Sequence, residues 1–355
     1  MHTILGKITI TVTVLVFFFS GIISVYAQKP ASLPDFSGLS LYSSDSPLNQ
    51  PIEEDAEIDP KSSKYIKKFK KAAPFVILLK QYTSPVYIAG SSTTRYDVEI
   101  PCGIYWEMGV SKLLNVPIPD WAEPSNDTDG VIPPRGCGED SDQDNHMVVL
   151  DLDTRCEYDF WQMRSENGKW VASWANAISM DSTGIYPAGL STRGSGFAFL
   201  GGLIWPDELK KGEINHALVF AYPYTKRGGP VEPATDSDGE VKGKKALPEG
   251  ARLRLDPSLD LDSLGLTPAE KTIAKALQKY GMYLVDNGGE SGISIYAVDS
   301  RSVLTNPYEG LLPDEDYPEL SGIPLDKFQV LKLPKQDKNW REKLAIVDTG
   351  CNNFK

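Results

Sequence analysis

The chain has 355 residues, with 36 Lys and Arg against 48 Asp and Glu and a formal charge of -12. That balance excludes nucleic acid and anionic membrane surfaces as general partners, and the length suffices for one large β-domain or two ordinary ones. The four cysteines show no C-x-x-C spacing, which sets aside the usual zinc and thiol-redox patterns.

Lys7, an apolar run over residues 8–19 and small residues ending Val25-Tyr26-Ala27 read as a secretory signal cut after Ala27. The competing reading is an uncleaved anchor, because residues 8–27 are just long enough to span a bilayer. Cleavage is favoured, which places the mature chain outside the cytoplasm, secreted or periplasmic, with no membrane partner after cleavage. In that compartment an even cysteine count reads as two disulfides. Three pairings are open; the one favoured joins Cys102 to Cys137 and leaves Cys156 to pin the tail through Cys351.

Residues 28–60 are rich in Pro, Ser and acid and read as an extended lead-in. Residues 61–71 are basic, with a solvated charged face as the expected role. Short strands follow at 75–79, 86–89 and 96–100, and then a long Pro/Asp/Gly loop over 116–137 containing the sequon Asn126-Asp127-Thr128.

Residues 140–162, DSDQDNHMVVLDLDTRCEYDFWQ, are the densest stretch. Asp140, Asp142 and Asp144 stand at positions 1, 3 and 5 of an EF-hand-like loop with Asp151 at position 12, the donor pattern of a calcium site. Asn145 replaces the usual Gly and no flanking helices are expected, so a solvated loop is the competing reading. His146 to Asp151 and Cys156 to Met163 alternate as two strands of a hairpin. A three-residue loop would set His146 beside Tyr158 and Gln162; a two-residue loop would set it beside Glu157.

Further on, residues 170–174 read as a strand and 194–202, GSGFAFLGG, as a glycine-punctuated crossing. The crossing lacks the features of a phosphate loop or a nucleophile elbow, and no nucleotide cofactor is expected. A short helical turn at 206–209 precedes a strand at 216–222 that begins with His216, and a polar loop over 224–248 leads to a strand at 251–255. Thr267 as N-cap, Pro268 and Glu270, the apolar face Ile273, Ala276, Leu277 and Tyr280, and Gly281 predict a well-capped helix. Strands near 282–285, 293–298 and 328–331 complete the set. This pattern predicts a mainly β chain, an antiparallel β-sandwich of jelly-roll type with one or two short helices, forming a single domain over residues 61–355.

The ordered series DxDxDNHMVVLD, EYDFW, GEINHALVF, LPEGARLRLDP and ALQKYGMYLVDNGG, over roughly residues 46–298, resembles a large uncharacterised family of exported, mostly bacterial proteins. Where those relatives carry Tyr-Glu on the second hairpin strand, this chain has Glu157-Tyr158-Asp159, so either acid can hold that position. The resemblance implies one domain and export, and no particular activity.

Two chemistries suit these residues. A polysaccharide lyase needs a base, a group that neutralises a uronate carboxylate, and an acid for the leaving oxygen. His146 or His216, then Gln162, Arg193 or calcium, then Tyr158 fit those roles. A glycoside hydrolase needs two carboxylates with different proton affinities, for which Glu157, Asp159, Glu208 and Asp286 are the candidates. Each histidine has packed-core alternatives, and Asp286 before Asn-Gly-Gly has a turn-forming one. Trp161 offers a stacking face for a sugar ring, whereas Trp170 and Trp174 alternate like core residues. The sequence therefore points to a carbohydrate-active enzyme on a polysaccharide or oligosaccharide, or to a non-catalytic extracellular sugar-binding protein.

Overall fold

The computed structural model describes residues 29–33, 41–127, 137, 143–288 and 292–355, so the signal-like segment, Asp140 and Asp142 lie outside the described residues. Among the described residues fourteen strands run in chain order: β1 Phe75–Leu78, β2 Val86–Ala89, β3 Arg95–Glu99, β4 Lys112–Pro117, β5 Met147–Asp151, β6 Cys156–Trp161 and β7 Arg164–Glu166, followed by β8 Lys169–Val171, β9 Trp174–Ser179, β10 Leu218–Tyr222, β11 Arg252–Leu255, β12 Met282–Asn287, β13 Ile293–Tyr296 and β14 Phe328–Val330. The α-helices are α1 Ser62–Phe69, α2 Pro101–Tyr105, α3 Pro206–Lys211 and α4 Pro268–Lys279.

The strands form three sheets, ordered β1-β13-β10-β12-β11-β14, β2-β5-β6-β9 and β4-β3-β8-β7. Hydrophobicity stacks them. In the six-stranded sheet Phe75, Ile77, Phe220, Leu284 and Ile295 face a core shared with α1 and α4, while Val76, Leu78, Val219, Val285 and Tyr296 face the other way. That second face packs on Val86, Val148, Leu150 and Ile178 of the β2-β5-β6-β9 sheet. The reverse side of the latter, with Tyr87, Val149, Tyr158 and Phe160, packs on Val98, Leu113 and Val116 of the third sheet. Helices and three sheets thus form four layers, and the two inner sheets are apolar on both faces, as a strand buried on both sides requires.

The expectation of an antiparallel jelly roll is corrected here. The chain is mainly β, but each sheet is mixed: β1 with β13, β10 with β12, β2 with β5 and β3 with β8 pair in parallel. Parallel neighbours need long return connections. Residues 90–146 provide one such connection, which contains β3 and β4 of the third sheet, and residues 223–281, which include α4, provide another.

Two local readings change as well. Residues 61–71 are more than a charged face, because α1 buries Tyr65, Ile66 and Phe69, and the Phe69 ring lies 5.5 Å from Phe328. The lead-in is anchored in part: Leu48 is 1% exposed and Tyr42 4% exposed, both inside the second core. The α4 reading holds, with a reciprocal Thr267–Glu270 capping box and Gly281 at φ 69°.

The favoured disulfides are present, Cys102–Cys137 and Cys156–Cys351. The second joins β6 to the tail, which lies along β4: Leu114 donates to the Asn353 carbonyl at 2.7 Å and Lys355 to the Lys112 carbonyl at 3.0 Å. Breaking it with Cys351→Ser should cost about 2–5 kcal/mol in reversible denaturation. Unchanged stability would show that the tail is held by its backbone pairing alone.

Candidate functional site

The β5–β6 hairpin fixes which side chains meet. Val148 pairs with Asp159 and Leu150 with Glu157 across a four-residue loop, an even count. His146, Glu157 and Asp159 therefore share the face towards the six-stranded sheet. Tyr158 points the opposite way, into the core with Val149 and Phe160. The lyase grouping of His146 with Tyr158 is not assembled.

Between the two inner sheets runs the glycine-punctuated crossing, and its backbone closes over the acids. Leu200 donates its amide to Glu157 Oε1 at 2.8 Å and Phe199 donates to Asp159 Oδ2 at 3.2 Å. The Tyr42 hydroxyl donates to Glu157 Oε2 at 2.6 Å and the Tyr186 hydroxyl to Asp159 Oδ2 at 3.1 Å. Both acids are fully buried. Burial, then the charge of Glu157, drives Asp159 far above the ordinary carboxylate range, and burial raises Glu157 less, so Asp159 is the acid that keeps a proton beside Glu157.

Arg193 supplies the facing positive charge. Its guanidinium donates to the Gly201 and Phe199 carbonyls at 3.0 and 3.1 Å and lies 4.7 Å from the Phe199 ring centroid and 5.0 Å from that of Tyr296. The His146 ring stands 4.3 Å from Phe199 on the same side. Burial pushes His146 down to about 3, which makes it neutral, and its Nδ1 has no hydrogen-bond partner.

Beyond Arg193 the cluster reaches solvent at Asp286, whose side chain is 20% exposed. Asp286 accepts from the Gly194 amide at 3.0 Å and the Tyr296 hydroxyl at 3.0 Å, with Arg193 Nε 3.8 Å away. Burial lifts it to about 7, Arg193 working against the rise and Asp238 adding to it. Gly194 lets the two acids approach closely, since a Cβ there would lie 2.4 Å from Asp238 Cγ and would displace that carboxyl. Asp238 itself donates its amide to Glu249 Oε2 at 3.0 Å, and Glu249 is wholly buried.

Asp144 is the second acid near this opening. It is partly exposed, accepts the Trp161 indole N–H at 3.2 Å, and its charge is felt at the Tyr296 hydroxyl. Burial raises its pKa and the indole offsets part of the rise. Trp161 stacks on Trp106, centroids 6.5 Å apart and 18° between planes, and Trp106 is 40% exposed.

The structure thus gathers His146, Glu157, Asp159, Arg193 and Asp286 around one guanidinium and sets Asp144 and Trp161 beside them. Gln162 plays a local part, accepting from Ser173 Oγ at 2.6 Å and donating to the Gln143 carbonyl at 3.2 Å. His216 is elsewhere, its Nε2 3.0 Å from Glu208 Oε1 at a separate cavity. Of the calcium pattern, Asp144 meets Trp161 and Asp151 pairs with Arg95 at 2.8 Å. Among the described residues no group of three or more His, Cys, Asp or Glu is placed to hold a metal ion. Sequence reasoning missed Tyr42, Tyr186, Tyr296 and Glu249; Asp238 stands in Asp236-Ser237-Asp238-Gly239, a weaker acidic-loop pattern of the calcium kind. Of the four missed, only Tyr296 carried a signal, lying in a predicted strand ten residues after Asp286.

Comparison with protein-family models, curated proteins and solved structures finds no match to this chain.

Asp159→Asn should change stability by no more than about 1 kcal/mol, because an amide can donate to Glu157 and accept from Tyr186 as the protonated acid does. Glu157→Gln, which sets an NH2 against donors, should cost about 1–3 kcal/mol. Equal costs in urea titrations would refute the proton assignment. The raised acids also set the pH response. Asp159 and Glu249, with Asp286 near 7, keep protons that the unfolded chain releases above about pH 4, and His216 is raised in the same sense. Between about pH 7 and 8.5 the folded state binds more protons than the unfolded one, so the melting temperature should fall as pH rises. A flat or rising melting temperature over that interval would contradict the assignment.

Proposed function

We propose that this chain is an exported glycoside hydrolase acting on a polysaccharide, with Asp286 as proton donor and Asp144 as the partner carboxylate. The observation that carries this reading is the pair itself: two partly exposed acids that both act on the Tyr296 hydroxyl, Asp286 through a 3.0 Å hydrogen bond and Asp144 through its charge, with burial lifting Asp286 to about 7. Glycosidic cleavage requires one protonated carboxyl to donate to the leaving oxygen and one ionised carboxylate to act as nucleophile or to activate water. Asp286 at about 7 suits the first role; Asp144, whose pKa burial raises and the Trp161 indole N–H partly restores, is the carboxylate available for the second. Tyr296 and the Gly194 amide hold the Asp286 carboxyl in place. The Trp106–Trp161 stack supplies an apolar face beside Asp144 on which a sugar ring can lie.

Elimination of a uronate is the weaker alternative, because the Arg193 side chain has no exposed surface and His146 is 7% exposed. Export is supported by the signal-like residues 1–27 and by the two disulfides. The Trp106–Trp161 stack would serve a non-catalytic sugar-binding protein equally, and turnover separates the two.

The decisive experiment incubates residues 28–355 with plant, algal and microbial polysaccharides, with and without calcium, and follows new reducing ends and the ultraviolet absorbance of unsaturated uronates. Reducing ends without that absorbance are expected. Asp286→Asn and Asp144→Asn should each lower turnover by about 10²–10⁴ with circular dichroism unchanged. The rate should decline above pH 7 as Asp286 loses its proton. Unsaturated products, or full turnover in both variants, would reject the hydrolytic pair, and saturable binding without turnover would favour the binding protein.

A further inference from the structure

A cavity of about 300 Å³ opens between residues 41–49, the end of the crossing and the start of β10. Its floor is apolar, with Leu48 and Leu200 each 1% exposed and Trp205 5% exposed. Its rim is polar, with Glu213 and Asn215 exposed and the Glu208–His216 pair set into one wall. The volume stands at the lower end of small-ligand pockets, the scale of one monosaccharide ring. An apolar base under a ring of carboxylate and amide groups matches a pyranose, which has a C–H face and a girdle of hydroxyls.

His216 is not poised for proton transfer here. Its Nδ1 lies 3.0 Å from the Ala217 carbonyl and its Nε2 3.0 Å from Glu208, off the line of an ideal ring N–H. Burial disfavours its charge, but Glu208 opposite outweighs burial and raises its pKa. Glu208 is held in turn by accepting the Trp205 amide at 3.0 Å. Nδ1 faces a carbonyl and Nε2 stands in ion-pair range of a carboxylate, so the imidazole favours its protonated form and the pair shapes the wall of a binding site. The lining acids Asp207, Glu208 and Glu213 exceed the lining bases by one charge with His216 protonated and by two with it neutral, which disfavours an anionic sugar.

We propose that this cavity is a binding subsite for a single neutral pyranose residue, separate from the Asp286–Asp144 pair. The saccharide class rests on the reading given above, but binding is measured without turnover, so the two stand or fall separately.

The test titrates the disulfide-bonded chain, residues 28–355, with glucose, galactose, mannose and N-acetylglucosamine, and with glucuronate and galacturonate. Tryptophan fluorescence and amide chemical shifts of Gly202 and Asn215 report binding. At least one neutral sugar should bind saturably, and the uronates at least about tenfold more weakly. Asn215→Ala should weaken binding about tenfold, the loss of one hydrogen bond, and Glu213→Gln should weaken it several-fold with the fold retained. Asp286→Asn should leave it unchanged. No saturable binding by any neutral sugar, uronates binding as tightly, or affinity unaltered in both rim variants would overturn the proposal. A neutral sugar that binds while every polysaccharide goes uncleaved would keep the subsite and reject the hydrolase.

Discussion

The structure depends on a pair of carboxyl groups placed between two sheets where no water reaches. Glu157 and Asp159 project from the middle sheet into an otherwise apolar layer, and an unpaired charge there would be prohibitive. The chain meets the constraint with a shared proton, two tyrosine hydroxyls and two backbone amides from residues 199 and 200. The partners come from three parts of the sequence, Tyr42, Tyr186 and residues 199–200. The pair therefore fixes the path of the crossing, the seat of Tyr42 and the separation of the sheets together. Tyr42 adopts φ 67°, a region a bulky side chain enters only when its surroundings dictate it.

The same arrangement positions the solvent-facing acids. Once the crossing is pinned at Phe199 and Leu200, Arg193 is held by carbonyls of that segment and its guanidinium faces Asp286. The Gly194 amide then bonds Asp286 while its α-carbon rests against the Asp238 carboxyl. Burial and a like charge raise the proton affinity of Asp286, and one arginine limits the rise. A group set near neutrality by opposing forces of this kind is characteristic of acid–base chemistry, although structural networks show it too.

Local features of the sequence were legible and distant ones were not. The α4 helix announced itself because Thr267, Pro268, Glu270 and Gly281 act within one helix, and the cysteines paired as their order suggested. The hairpin was visible, but its parity was not, and that single residue decided that Glu157 rather than Tyr158 joins His146. Parallel pairing escaped because β2 and β5 are more than fifty residues apart and alternation carries no information about such neighbours. Tyr42 lay in a stretch whose Pro, Ser and acidic composition conceals an anchored segment. His146 and His216 looked alike in sequence, each preceding an apolar strand, but one meets an aromatic ring and an arginine and the other a glutamate.

The hairpin that carries Glu157 and Asp159 belongs to the middle of three stacked sheets, with side chains packed against both of its faces. With both carboxyls wholly buried, a proton reaches the pair through local openings of the packing around it. The charge state of the pair is therefore governed kinetically by the breathing of the stack. After a sudden change in acidity the interior would retain its earlier protonation until the packing next opened, giving the molecule a short memory of the medium it has left.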